Sequence, residues 1–82
     1  MLTCSQYDHI EIVCMFQYPV RLVLKDGSVL EGIAIDTVKN QMKDECLQLL
    51  QNQQENVIPL EMIKMLIVSI NNPHFTSVSF DN

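Results

Sequence analysis

The sequence lacks features that several classes of function require. Its only glycines are Gly27 and Gly32, so it has no glycine-rich loop of the kind that holds phosphate groups. Its three cysteines form no Cys-x-x-Cys pair, and together with its two histidines they match no zinc-binding spacing. Neither Cys14 nor Cys46 lies in a local signature of a catalytic nucleophile. We therefore expect no metal site, no cofactor and no enzymatic activity.

Positive charge is also scarce. Five Lys and Arg residues stand against ten Asp and Glu residues, which gives a formal net charge of −5. Nucleic-acid binding depends on cations that neutralise phosphates, so we expect no direct binding to nucleic acid. The acidic balance instead favours encounter with a basic partner. The alternative interpretation is that this charge only keeps the protein in solution.

Long apolar runs are absent as well. No run approaches the ~20 residues that cross a membrane, and the amino end lacks the basic region of a signal peptide. We expect no membrane association, and free thiols without a secretion signal indicate the reducing cytoplasm. A length of 82 residues, 48% of them hydrophobic, predicts one folded domain over residues 1–82.

Residues 3–16 carry signals for both a helix and a strand. Thr3-x-x-Gln6 is a capping box that starts a helix, whereas apolar residues alternate from Ile10 to Phe16 as they do in a strand. We favour a short helix because of these start signals and the early acidic residues.

The rest of the sequence is typical of short strands joined by tight turns. The predicted strands are Pro19–Lys25, Val29–Thr37, Glu45–Gln51, Val57–Leu60, Met62–Ile70 and Phe75–Phe80. Lys25–Ser28 predicts a hairpin turn, residues 38–44 a polar loop and residues 52–56 a second turn. Pro59 indicates an edge or bulge, and Gly32 indicates a bend in the second strand.

These elements predict a mainly β fold, a small open barrel or sandwich of about six short strands preceded by one helix. Alternation along the strands assigns the side chains that face the core. The predicted core residues are Leu22, Leu24, Ile33, Ile35, Leu47, Leu49, Leu66 and Val68.

The candidate binding residues lie on the predicted helix. Asp8 and Glu11 are three positions apart, a spacing that makes their carboxylates neighbours on a helix, beside Tyr7. Such a pair can meet Arg or Lys of a partner through charge-assisted hydrogen bonds. The alternative is that both acids only favour the start of the helix through its macrodipole.

One resemblance covers part of the chain. Val20–Gly27 and the turn Asp36–Asn40 resemble the first motif of Sm-like proteins, in which an Asp-x-hydrophobic-x-Asn turn often forms a uridine pocket. The basic residue and glycine of the family's second motif are missing from residues 57–63. As an alternative function, this resemblance implies a single-domain RNA-binding protein that uses Asp36 and Asn40.

A second resemblance spans nearly the whole chain. It rests on the pattern Cys4-x-x-Tyr7-Asp8-x-Ile10-Glu11-x-x-Cys14, continued by Leu24–Gly27, Asp36, Glu45–Leu47 and Asn72-Pro73. Together these residues resemble the Rho-binding antiterminators of the Rof family, also called YaeO. The loop at residues 39–44 departs from the family because it is longer than the typical form.

The Rof resemblance implies a small bacterial regulator with an amino-terminal helix on a Sm-like barrel. It implies binding to the RNA-binding amino-terminal domain of the termination factor Rho, and inhibition of Rho-dependent termination by blocking RNA access. We expect the free protein to be a monomer. The expected Rho contacts are Tyr7, Asp8, Glu11 and Cys4 on the helix, with Lys39, Asn40 and Lys43 of the loop as secondary candidates.

Overall fold

A computed structural model describes residues 3–80 of the chain. Over these residues it has the helix α1 (Cys4–Met15), a 3₁₀ turn (Leu60–Met62) and six strands. The strands are β1 (Pro19–Leu24), β2 (Val29–Lys39), β3 (Glu45–Gln51), β4 (Gln54–Pro59), β5 (Ile63–Val68) and β6 (Ser77–Ser79). They form one unclosed antiparallel sheet in the order β4-β3-β2-β1-β5-β6. The predicted fold class, mainly β with one amino-terminal helix, is confirmed.

The two ends of α1 are fixed by local hydrogen bonds. Thr3 Oγ1 accepts from the Gln6 amide at 3.1 Å, and Gln6 Oε1 accepts from the Thr3 amide at 2.8 Å. This is the predicted capping box, and it decides between helix and strand. At the other end Gln17 adopts a left-handed conformation, with φ of 51°. The Tyr18 amide then donates to the Val13 carbonyl at 2.9 Å, which completes a Schellman motif.

The helix lies across the inner face of the sheet. Ile10 and Val13 are fully buried there, each 0% exposed. On the β6 side, the His9 ring meets Phe75 edge-on with a centroid distance of 4.5 Å. Gln6 Nε2 donates to a backbone carbonyl of β6 at 3.0 Å. On the opposite side the helix contacts β2, so α1 connects a sheet edge to the sheet centre.

The structure confirms most of the predicted core but corrects it on β2. Leu22, Leu24, Leu47, Leu49, Leu66 and Val68 are buried as predicted. Ile33 is 38% exposed and Ile35 only half-buried, whereas Ala34 between them is fully buried. The pairing of β2 with β3 shifts between Ala34 and Asp36, which marks a bulge.

Close packing explains why a small residue takes the inner position. A Cβ on Gly32 would lie 2.5 Å from the carbonyl oxygen of Leu50, so β3 approaches too closely for a side chain there. Gly32 and Ala34 therefore face the core, and the larger Ile33 faces outward. The prediction failed because it took the alternating Ile33 and Ile35 as the core-facing set of β2, whereas close packing puts Gly32 and Ala34 there.

The first turn has the predicted length, whereas the two later connections are shorter than predicted. Gly27 has φ of 93° at the tip of the predicted Lys25–Ser28 turn, where Asp26 Oδ1 accepts from the Ser28 amide at 2.8 Å. The second turn contains only Asn52 and Gln53, both with positive φ, so β4 begins earlier than predicted. β2 continues to Lys39, which leaves residues 40–44 as the loop. β4 lies at the sheet edge, as Pro59 predicted.

Alanine substitution should distinguish a confirmed core position, Leu47, from the corrected position, Ile33. We expect Leu47→Ala to lower the free energy of unfolding by about 2–5 kcal/mol, because it leaves a cavity in the core. Ile33→Ala should have a clearly smaller effect, since Ile33 is partly exposed. Urea denaturation of both variants measures the difference, and equal losses would contradict the orientation of β2 described above.

Candidate protein-binding surface

One stripe of α1 faces solvent. Cys4, Asp8, Glu11 and Met15 follow the spacing i, i+4, i+7 and i+11, which places them on one side of a helix. All four are exposed, on the side away from buried Ile10 and Val13. We call these four residues the helix stripe. The predicted contacts Cys4, Asp8 and Glu11 therefore share one accessible surface.

An open groove of about 440 Å³ runs beside the helix stripe. We call it the helix groove, and its lining residues are Tyr7, Glu11, Thr37, Val38, Lys39 and Glu45. Lys39 and Glu45 are paired across β2 and β3, so the groove lining carries one residue of each charge on neighbouring strands. Glu11 belongs to both the stripe and the groove, and joins them into one surface.

Tyr7 connects the helix to β3. A hydrogen bond to the Glu45 carboxylate raises the pKa of the Tyr7 hydroxyl above its ordinary value, and burial and the Glu45 charge act in the same direction. The phenol therefore remains a neutral donor at neutral pH. The ring is half-buried and packs against the hydrophobic core. Tyr7, predicted as a Rho contact, thus forms a wall of the groove.

The thiols differ in accessibility. Cys4 is exposed, Cys14 is half-buried and Cys46 is buried, where its thiol donates to the Asp44 carbonyl at 3.4 Å. Burial, and then the nearby carboxylates of Asp36 and Glu11, raise the pKa of the Cys14 thiol to about 11. Burial also raises the pKa of Cys46. Cys14 and Cys46 therefore stay protonated at neutral pH.

The loop candidates occupy different environments. Asn40 Oδ1 accepts from the amides of Met42 and Asp44, at 2.9 and 3.0 Å, so this side chain holds the loop together. Lys43 is exposed, with φ of 65°. Lys39 lines the helix groove beside Tyr7. The structure thus brings Lys39 to the helix contacts and gives Asn40 a structural role in its own loop.

Sequence reasoning missed Thr37, Val38 and Glu45 as part of this surface. Their strands were predicted, but their place at the groove depends on where α1 crosses the sheet. No local pattern carries that information, because the contact between Tyr7 and Glu45 joins distant parts of the chain.

Two other kinds of site are absent from residues 3–80. Among these residues, no group of three or more His, Cys, Asp or Glu side chains is arranged to hold a metal ion. In the same part of the chain, no helix is long and apolar enough to cross a membrane.

Comparison with known proteins identifies the family. A family model described as "Modulator of Rho-dependent transcription termination (ROF)" matches residues 1–80. The chain belongs to the Rof family. Its function at this level is the modulation of Rho-dependent transcription termination. The resemblance seen in the sequence is therefore confirmed over nearly the whole chain.

A solved structure agrees with this assignment. The structure titled "YaeO bound to Magnesium", from Vibrio cholerae O395, is 35% identical to this chain and has a TM-score of 0.87. The match covers 94% of this chain and 100% of the other. No protein in a search of curated sequences matches at a significant level.

Thiol labelling tests the packing of the helix against the sheet. At pH 8 we expect one cysteine, Cys4, to react rapidly with a disulfide reagent, because it is exposed. Cys14 should react slowly, since its pKa of about 11 leaves little thiolate at that pH. Absorbance of the released thiolate measures both rates, and Cys4→Ser should remove the rapid phase. Rapid labelling of two or three thiols in the folded protein would contradict the described burial.

Proposed function

We propose that this protein inhibits Rho-dependent termination by docking its helix stripe and helix groove on the RNA-binding amino-terminal domain of Rho. Docking there obstructs the access of RNA. The observation that carries this proposal is the pair of exposed carboxylates of Asp8 and Glu11 on one side of α1. Half-buried Tyr7 adds an aromatic side chain next to Glu11 in the lining of the groove.

Electrostatics supports a basic target. A surface that binds RNA needs Lys and Arg to neutralise phosphates. A protein with a formal net charge of −5 is attracted to such a surface, and the carboxylates of the stripe can take the place of phosphates. This attraction increases the rate of encounter and disfavours acidic partners.

The rigidity of the surface also supports the proposal. α1 is fixed by its capping box, by buried Ile10 and Val13, and by the contact of His9 with Phe75. The backbone that carries these carboxylates needs little further ordering on binding, so less backbone entropy is lost. The surface is thus suited to binding a preformed partner.

Direct RNA binding through Asp36 and Asn40 is less well supported. The Asp36 carboxylate accepts from the Thr37 amide at 2.8 Å, and Asn40 Oδ1 is used within its loop. Both groups therefore have local partners. We propose that the protein binds no nucleic acid itself, has no catalytic role and acts as a monomer. Its three free thiols suit the reducing cytoplasm.

Charge reversal on the helix tests the proposed contact. We expect Asp8→Lys and Glu11→Lys each to reduce affinity for purified Rho by about 30-fold or more, because attraction to a cation becomes repulsion. The variants should also fail to displace fluorescently labelled RNA from Rho in an anisotropy assay. Wild-type binding should weaken as salt is raised, since exposed charges are screened.

Glu55→Lys is the matched control. Glu55 is exposed on the edge strand β4 and pairs with Leu50, toward the end of β3 away from Glu45. This variant carries the same change in net charge and should bind Rho like wild type. If Asp8→Lys and Glu11→Lys melt normally and still bind with unchanged affinity, the contact lies elsewhere. Tight binding of oligo-uridine by the protein alone would favour the RNA-binding alternative.

A further inference from the structure

The helix stripe ends at an exposed aromatic cluster. Met15 is 72% exposed and Phe16 is 50% exposed. The Phe16 ring stacks on Tyr18 with a centroid distance of 5.4 Å, and on His74 with a centroid distance of 5.0 Å. We call Met15, Phe16, Tyr18 and His74 the aromatic patch. Large apolar side chains that stay in water at one place on a small protein commonly mark a contact surface.

The fold holds this patch in place. Phe16 is the C-cap of α1, and the left-handed Gln17 behind it turns the chain back at once. Tyr18 packs partly against the core, so one of the stacked rings is anchored inside the protein. Phe16 is thereby oriented before any partner arrives, which reduces the entropy lost on binding.

The aromatic patch continues the acidic surface. Met15 lies four residues after Glu11 on the same stripe, and a helix rises about 1.5 Å per residue, so Asp8 and Met15 are separated by roughly 10 Å along the axis. A partner that covers Asp8 and Glu11 therefore reaches Met15 at the dimensions of an ordinary protein interface, and Phe16 follows Met15 at the C-cap.

The charge of the adjoining stripe favours a basic occupant. The carboxylates of Asp8 and Glu11 precede Met15 on the same exposed side of α1. A nucleic acid would bring phosphates toward these carboxylates. A second copy of the chain would bring another formal charge of −5. A basic protein surface would not be repelled in either of these ways.

We propose that the aromatic patch is the apolar anchor of the Rho contact and receives a planar arginine side chain of Rho on the exposed face of Phe16. This inference rests on the proposed function, because it assigns the same partner. A guanidinium group can stack on an aromatic ring, and an arginine brings the positive charge that a protein with a formal net charge of −5 attracts. Buried aromatic anchors commonly dominate interface affinity, whereas charges at the rim contribute less.

The test measures Rho affinity of Phe16→Ala, Phe16→Leu and Met15→Ala at several salt concentrations. We expect Phe16→Ala to weaken binding by about 10-fold or more. Phe16→Leu keeps an apolar side chain but removes the aromatic plane, so it should fold normally and still bind more weakly. None of these variants removes a charge from the protein, so the salt dependence should stay close to that of wild type. Asp8→Lys should reduce it.

Val29→Ala is the matched control, since Val29 is 52% exposed on β2 and pairs with Val23 on the outer face of the sheet. It should bind Rho like wild type. Thermal melting reports folding of every variant, and Phe16→Leu decides the question if Phe16→Ala is unstable.

The outcomes separate the two proposals. If Asp8→Lys weakens binding while folded Phe16→Leu and Met15→Ala bind like wild type, the anchor is overturned and the acidic contact stands. If Asp8→Lys also binds like wild type, the proposed function fails with it. A concentration-dependent dimer in sedimentation that Phe16→Ala abolishes would instead make the patch a self-association surface and overturn the inference.

Discussion

The burial of Ile10 and Val13 against the inner face of the sheet is the contact on which the rest of the structure depends. The sheet is open, and its inner face is lined by leucine and valine side chains that need cover. A helix of 12 residues is marginally stable in isolation, so α1 gains its stability from this same packing. The orientation of the helix is thereby set. With Ile10 and Val13 turned inward, the spacing of the helix turns Cys4, Asp8, Glu11 and Met15 outward.

A single helix therefore serves both the core and the proposed interface. A protein of 82 residues has few apolar side chains to spare for an enclosed cavity, so recognition by an exposed surface is compatible with its stability. Tyr7 lies between the two roles, with its ring against the core and its hydroxyl near the Glu45 carboxylate at the groove. Removal of its whole ring would disturb both, which is why the exposed acids separate binding from folding more cleanly.

The sequence predicted what local chemistry determines. The Thr3 and Gln6 capping box identified the start of the helix, and Gly27 identified the first hairpin. The inward face of β2 was predicted wrongly because a bulge and the close approach of β3 put Ala34 inside and Ile33 outside. For the candidate surface, helical spacing placed Asp8 and Glu11 on the same side. The groove that Tyr7 shares with Glu45 depends on the docking angle of α1, which no local pattern specifies.

Charge alone is an incomplete basis for competition with RNA. An RNA strand carries one phosphate per nucleotide and releases counterions when it binds, whereas the helix stripe contributes only two carboxylates, from Asp8 and Glu11. A small acidic protein therefore needs contacts that do not depend on charge if it is to persist on a basic surface. The exposed Met15 side chain offers apolar area one helical turn beyond Glu11, and the exposed Phe16 follows it at the C-cap. Under both proposals, the acidic groups of the stripe speed encounter and the oriented Phe16 ring at the end of the helix slows dissociation, which suits a competitor of RNA.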